Sequence, residues 1–103
     1  MKVDVLQLLH QRLTVESTWI LAVLLDEKRF VPKEELWQLV NDCHAQKKGS
    51  QLPLIKSRHY LDNFMYRLEG AALVNLQKIG QARLYQITPL GEAVLKFNVK
   101  GAN

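Results

Sequence analysis

One stretch of the sequence concentrates side chains that could bind a polyanion. Between His44 and Gln86 there are seven lysines and arginines against two carboxylates, whereas the rest of the chain has a net charge of −1. The whole chain carries a formal charge of +4 and has a pI of about 9.4. Phosphate binding needs positive potential that is focused in one region. A solvated lysine-rich surface has the same composition, however, and charge alone favours that simpler interpretation.

The other reactive residue types lack the spacing that a catalytic or metal site needs. The single cysteine, Cys43, cannot form an internal disulfide, which favours a reducing, cytoplasmic setting. Cys43 adjoins His44, but no C-x-x-C or H-x₃-H pair accompanies them in the sequence, so we expect no metal ion. The sequence also contains no glycine-rich loop that could bind phosphate, and no pattern in it indicates a Ser-His-Asp catalytic triad. We therefore expect a non-enzyme without a cofactor.

Apolar segments in the sequence are short. The longest run, Trp19 to Leu25, has seven residues, and a membrane span needs about 20. The first four residues, Met1 to Asp4, do not resemble the start of a signal peptide. We expect no membrane partner.

Apolar residues recur with helical periodicity along much of the chain and predict five helices. The clearest stripe has i, i+3, i+4, i+7 spacing and consists of Leu36, Leu39, Val40 and Cys43. Thr14 and Ser57 are suitable N-caps, and Pro32 suits the first position of the third helix. The predicted helices span residues 3–13, 14–28, 32–46, 57–69 and 89–98.

The apolar period changes from 3.6 to 2 between residues 73 and 88. Val74 and Tyr85 lie in two alternating segments that are separated by a short turn containing Gly80, a pattern typical of a β-hairpin. Thr88 and Pro89 then cap and start the last helix. The sequence predicts an α+β fold, mostly α, in a single domain over residues 1–103.

The segment from Arg67 to Leu95, RLEGAALVNLQKIGQARLYQITPLGEAVL, resembles the PadR-like and MarR-like winged helix-turn-helix families. The shared features are a Leu-Val pair, the hairpin and a Tyr-x-Ile-Thr-Pro-x-Gly helix start. The resemblance implies a winged helix-turn-helix with an extra N-terminal helix and a C-terminal helix. It also implies that helix 57–69 enters the major groove of DNA while the hairpin forms a wing on the backbone or minor groove. Two features depart from the families: Ala72 replaces their usual glycine, and the connection over 44–56 exceeds a tight helix-turn-helix turn.

Helix periodicity places the apolar side of helix 57–69 opposite a polar side. Asn63 and Arg58 are the best candidates for reading bases, because asparagine can pair with adenine and arginine with guanine through two hydrogen bonds. Asp62 slightly favours a plain solvated surface instead, because phosphates repel a carboxylate. The predicted DNA contacts are Lys56, Ser57, Arg58, His59, Asn63, Tyr66 and Arg67 on the helix, and Lys78, Gln81 and Arg83 on the wing.

Fold pattern and local charge together predict a DNA-binding transcriptional regulator whose partner is double-stranded DNA. The leucine-rich first helix needs a partner on the same chain or on a second copy, and the resemblance implies that it forms, with the last helix, a homodimer that reads two half-sites. One alternative is a winged-helix module for protein interaction or assembly, which the apolar Ile79 at the wing tip suggests. Another is an architectural DNA-binding protein without sequence preference. The sequence does not indicate a small-molecule effector.

Overall fold

The computed structural model describes the backbone of residues 2–101 and the side chains of residues 5–97. It confirms the predicted fold class, because this part of the chain forms five helices and a small antiparallel sheet in a winged helix-turn-helix arrangement. The elements are α1 (Lys2–Gln11), α2 (Val15–Glu27), β1 (Val31–Pro32), α3 (Lys33–Lys48), α4 (Arg58–Gly70), β2 (Val74–Ile79), β3 (Ala82–Ile87) and α5 (Pro89–Gly101).

Helix α2 lies at the centre of the core and contacts α3, α4, α5 and β3. Its Ile20, Leu21 and Leu24 are fully buried. The helix begins at the N-cap Thr14, whose side chain accepts a hydrogen bond from the Ser17 backbone N–H. Because α2 is apolar on most sides, the amphipathic helices and the sheet can pack around it.

The sheet contains a third strand that the sequence prediction missed. Its order is β1-β3-β2, and β1 pairs antiparallel with β3 through Val31↔Tyr85 and Pro32↔Leu84. Pro32, predicted as the first residue of a helix, instead has extended backbone angles and immediately precedes α3. Proline is tolerated here because β1 is an edge strand. A strand of two residues is too short to produce a periodic signal.

The wing is the β2–β3 hairpin, in which Ile79 pairs with Ala82 across a two-residue turn. Gly80 is the first turn residue and has a φ of 61°, which glycine adopts without steric cost. Gln81 follows it at the tip. A positive φ at the first central position is typical of a type II′ turn, whose twist matches that of the two strands.

Helix α4 ends in a Schellman motif that leads directly into the wing. The Leu73 backbone N–H donates to the Leu68 carbonyl at 2.9 Å, and the Ala72 N–H donates to the Glu69 carbonyl at 2.9 Å. Ala72 has a φ of 64°, the left-handed conformation that usually selects glycine. The backbone therefore keeps a left-handed turn at the position where the resembling families carry glycine.

The Thr-Pro-x-Gly segment connects the turn between α4 and β2 to the start of α5. The Thr88 hydroxyl donates to the Ala72 carbonyl at 2.8 Å and accepts from the Gly91 N–H at 2.9 Å. A Cβ atom at Gly91 would lie 2.2 Å from the Leu73 carbonyl oxygen. Glycine is needed here because α5 approaches the backbone after α4 too closely for any side chain.

Helix α3 extends two residues beyond its predicted end at residue 46. Gly49 caps it with a φ of 64°, and its N–H donates to the Ala45 carbonyl. The connection from α3 to α4 therefore runs over residues 49–57.

Candidate nucleic-acid interface

Helix α4 has one buried and one exposed side. Leu61, Met65 and Leu68 are buried in the core. His59, Asn63 and Tyr66 lie on the opposite side and are exposed. Their i, i+4, i+7 spacing places them along one face, where they could contact a groove of DNA together.

The N-terminal end of α4 combines cationic side chains with a free helix terminus. The Ser57 hydroxyl caps the helix by accepting from the Tyr60 backbone N–H at 3.3 Å. Lys56 and Arg58 flank this cap and are exposed. A helix N-terminus attracts phosphate because its first N–H groups and its dipole are positive, and Lys56 strengthens that potential.

Two side chains of α3 fix the long connection that precedes α4. Asn41 forms hydrogen bonds with both backbone polar groups of Ile55. Its Oδ1 accepts from the Ile55 N–H at 2.9 Å, and its Nδ2 donates to the Ile55 carbonyl at 3.1 Å. The Trp37 Nε1 donates to the same carbonyl at 2.9 Å. Ile55 is only 1% exposed, so these contacts anchor the chain two residues before the Ser57 cap.

The same face of α3 also holds the side chain of Arg58. The Arg58 Nη2 lies 2.8 Å from the Glu34 Oε1, and its guanidinium carbon lies 5.5 Å from the centre of the Trp37 ring. Glu34, Trp37 and Asn41 follow one another at i, i+3, i+7 spacing, and we call them the α3 cradle. Within the cradle, Asn41 and Trp37 anchor the backbone that precedes α4, and Glu34 and Trp37 hold the Arg58 side chain against α3.

Asp62 is compensated within the protein. Its Oδ1 accepts a hydrogen bond from the Lys33 Nζ at 3.0 Å, and both side chains are about one quarter exposed. This ion pair joins the start of α3 to α4. The negative charge that favoured a plain solvated surface is therefore offset by a neighbouring cation.

The wing contacts the exposed face of α4. The Arg83 Nη1 donates to the Tyr66 hydroxyl at 3.0 Å, and the guanidinium carbon lies 5.5 Å from the centre of the Tyr66 ring. This hydrogen bond is the main cause of the raised pKa of Arg83, which stays positively charged. Lys78 lies directly opposite Arg83 in the β2–β3 register and is exposed. Arg83 thus joins the wing to α4, and Lys78 adds a second cation beside it on the wing.

Arg67 is separated from most of the other predicted contacts. It lies about 13 Å along the helix axis from Arg58, at a rise of 1.5 Å per residue. It lines a surface pocket together with Arg12, Thr14 and Leu9. The predicted contacts thus fall into three groups: the N-terminal end of α4, the α4 face with the wing, and Arg67. Arg12, which lines the same pocket as Arg67, was not among the predicted contacts.

Sequence reasoning also missed the residues that position α4. Lys33 and the α3 cradle contact partners 14 to 29 positions away, so no local pattern reveals those contacts. The available signal was a polar stripe at 34, 37 and 41 beside the apolar stripe of the same helix. Such a stripe on a helix that should pack against another element indicates polar contacts.

Neither a metal-ligand cluster nor a membrane-spanning helix occurs in the part of the chain that the structure describes. No cluster of three or more His, Cys, Asp or Glu side chains that could hold a metal ion is found there. No described helix has the length and apolar character needed to cross a membrane.

Comparison with known proteins shows which family the chain is related to. No protein-family model matches it. The DNA-binding protein TubR of Bacillus cereus is 34% identical over 87 residues, which cover 79% of this chain and 72% of the relative. The chain belongs to the TubR family. The TubR relationship extends over most of the chain, whereas the PadR-like and MarR-like resemblance concerned only the segment from the end of α4 to α5. Membership of the PadR-like or MarR-like families is not confirmed.

Proposed function

We propose that this member of the TubR family binds double-stranded DNA with sequence preference and regulates transcription from the sites it occupies. The observation that carries the proposal is the contact of Arg83 with Tyr66, because it joins the cationic wing to the exposed face of α4. One duplex can then touch both elements. The relationship to the DNA-binding protein TubR of Bacillus cereus supports the same proposal.

In this proposal α4 lies in the major groove. Asn63 and Arg58 read base edges, since their side chains can form paired hydrogen bonds with adenine and guanine. Lys56 and the N-terminus of α4 at Ser57 hold a phosphate. His59, Tyr66 and Arg67 make further contacts along the helix. The wing residues Lys78, Gln81 and Arg83 contact the backbone or the minor groove.

The proposed active species is a twofold dimer. Helix α1 packs against α5, yet its Val5 and Leu8 remain 53% and 50% exposed. Burial of these side chains against a second copy would remove apolar surface from water. Two recognition helices related by a twofold axis would read half-sites about 34 Å apart.

Sedimentation equilibrium tests the dimer. We expect a dimeric mass for the natural protein and a monomeric mass for Leu8→Glu. Val15→Glu is the matched control, because Val15 is an exposed apolar residue on α2 rather than α1. A natural protein that sediments as a monomer would contradict the dimer.

Selection of bound fragments from a random DNA pool, followed by salt titration, tests the DNA-binding proposal. We expect a consensus with inverted half-sites and an affinity that falls as salt rises. Lys78→Gln should reduce the slope of log K against log salt by about 0.9, the value for one lost phosphate contact. Lys96→Gln is the control, since Lys96 pairs with Glu92 on α5. Absence of duplex binding, or an affinity that ignores salt, would refute the proposal.

Protein binding through the wing tip is a second candidate function. Ile79 is 59% exposed at the end of the hairpin, where an apolar side chain favours contact with a protein. The carboxylate of Asp62 and the long α3–α4 connection, which could also indicate a protein-binding module, are instead engaged within the protein by Lys33 and Asn41. Recovery of one stoichiometric protein partner without DNA would favour this candidate.

A further inference from the structure

The first residue of α4 is held by an acidic residue of a neighbouring helix. Arg58 lies between the Glu34 carboxylate at 2.8 Å and the face of the Trp37 ring. Trp37 is itself fixed, because its indole N–H is engaged by the Ile55 carbonyl. These contacts hold the guanidinium against α3, although the Arg58 and Glu34 side chains are 62% and 57% exposed.

An arginine in an ion pair is less available to phosphate than a free arginine. Non-specific DNA binding comes almost entirely from the attraction between cationic side chains and phosphates. Because the Glu34 carboxylate offsets part of the Arg58 charge and itself repels phosphate, the pair attracts phosphate less than a free arginine does. A guanine is uncharged and offers two acceptors in a fixed geometry, so a bidentate contact with it is weakened less.

Building on the proposed DNA binding, we infer that Glu34 is a specificity-determining residue that suppresses non-specific binding by holding Arg58. It acts on α4 from α3 and does not itself read a base. The ion pair is exposed and contributes little to stability, so its removal leaves the fold intact. Its effect appears in the ratio of affinities for the preferred and the random duplex.

Affinities for a random 20-bp duplex and for the selected duplex, measured side by side, test this inference. Glu34→Gln should raise affinity for the random duplex about fivefold, the upper range for loss of an exposed ion pair, and raise affinity for the selected duplex less. The salt slope for the random duplex should steepen by about 0.9, because Arg58 gains one phosphate contact.

Two variants separate this mechanism from a general change in charge. Glu35→Gln removes the same charge one residue further along α3, but Glu35 pairs with Arg29 and not with Arg58, so the affinity ratio should not change. In an Arg58→Ala background, Glu34→Gln should no longer raise affinity for the random duplex. The indole N–H resonance of Trp37 should shift in Glu34→Gln and in Arg58→Ala, and not in Glu35→Gln.

Each result decides the inference. The inference is overturned if Glu34→Gln leaves the ratio of affinities for the selected and random duplexes unchanged, or if Glu35→Gln changes that ratio equally. It is also overturned if Glu34→Gln still raises affinity for the random duplex in the Arg58→Ala background. A natural protein that binds duplex DNA with no sequence preference would overturn both this inference and the sequence preference in the proposed function. Complete absence of duplex binding is a different outcome, because it removes the proposed function itself.

Discussion

The two ends of α4 are fixed by different kinds of interaction. At the N-terminal end, the α3 side chains Asn41 and Trp37 hold the backbone that precedes the helix, and the exposed Glu34–Arg58 ion pair adds little. At the C-terminal end, backbone hydrogen bonds of the Schellman motif and the close approach of Gly91 to Leu73 hold the helix. The difference indicates that substitutions can adjust the N-terminal end, whereas the C-terminal end tolerates little change.

The largest expected effect is at the C-terminal end. Gly91→Ala should lower the free energy of unfolding by about 3 kcal/mol, because its Cβ would overlap the Leu73 carbonyl oxygen and force the backbone apart. Urea denaturation measures the change. Gly70→Ala is the control, since a Cβ there would lie more than 4 Å from any heavy atom outside its two chain neighbours and its own stretch of helix backbone. We expect no loss of stability for this variant. Equal midpoints for Gly91→Ala and the natural protein would refute the close contact.

A smaller loss is expected at the N-terminal end. Asn41→Ala removes two hydrogen bonds to the buried backbone of Ile55 and should cost about 2 kcal/mol. The same denaturation experiment applies. Gln38→Ala, an exposed position on the same helix, should stay within about 0.5 kcal/mol of the natural protein. If both alanine variants had the same stability, the α3 cradle would not anchor the connection.

The smallest effect is a gain in stability. Ala72→Gly should raise the free energy of unfolding by about 1 kcal/mol, because glycine adopts the left-handed conformation at φ 64° without a steric penalty. Ala71→Gly, at a φ of −87°, should be neutral or destabilising. Thermal melting of the pair measures the difference, and a loss of stability in Ala72→Gly would show that the alanine is not strained.

The same comparison explains what the sequence could predict. Thr88, Pro89 and Gly91 are close in sequence, and their local pattern predicted the α5 start and the wing before it. The α3 cradle joins residues that are distant in sequence, so neither periodicity nor capping rules could reveal it. β1 was missed because Val31 and Pro32 form a strand only by pairing with β3.

The candidate site was predicted in outline but not in arrangement. Periodicity correctly separated the exposed Asn63 from the buried Leu61 and Met65. It could not show that Tyr66 holds Arg83, that Glu34 holds Arg58 or that Lys33 compensates Asp62, because each contact joins different elements. Sequence patterns define which face of a helix is exposed, and tertiary packing decides which polar groups meet there.

The most direct test of the account is to map the DNA contacts on the ¹⁵N-labelled protein by chemical-shift perturbation with the selected duplex. We expect the largest changes on residues 56–67 and 77–83, which form the N-terminal end and exposed face of α4 together with the wing. Perturbations confined to α1, α5 or the α2–α3 surface, with α4 and the wing unchanged, would contradict the account.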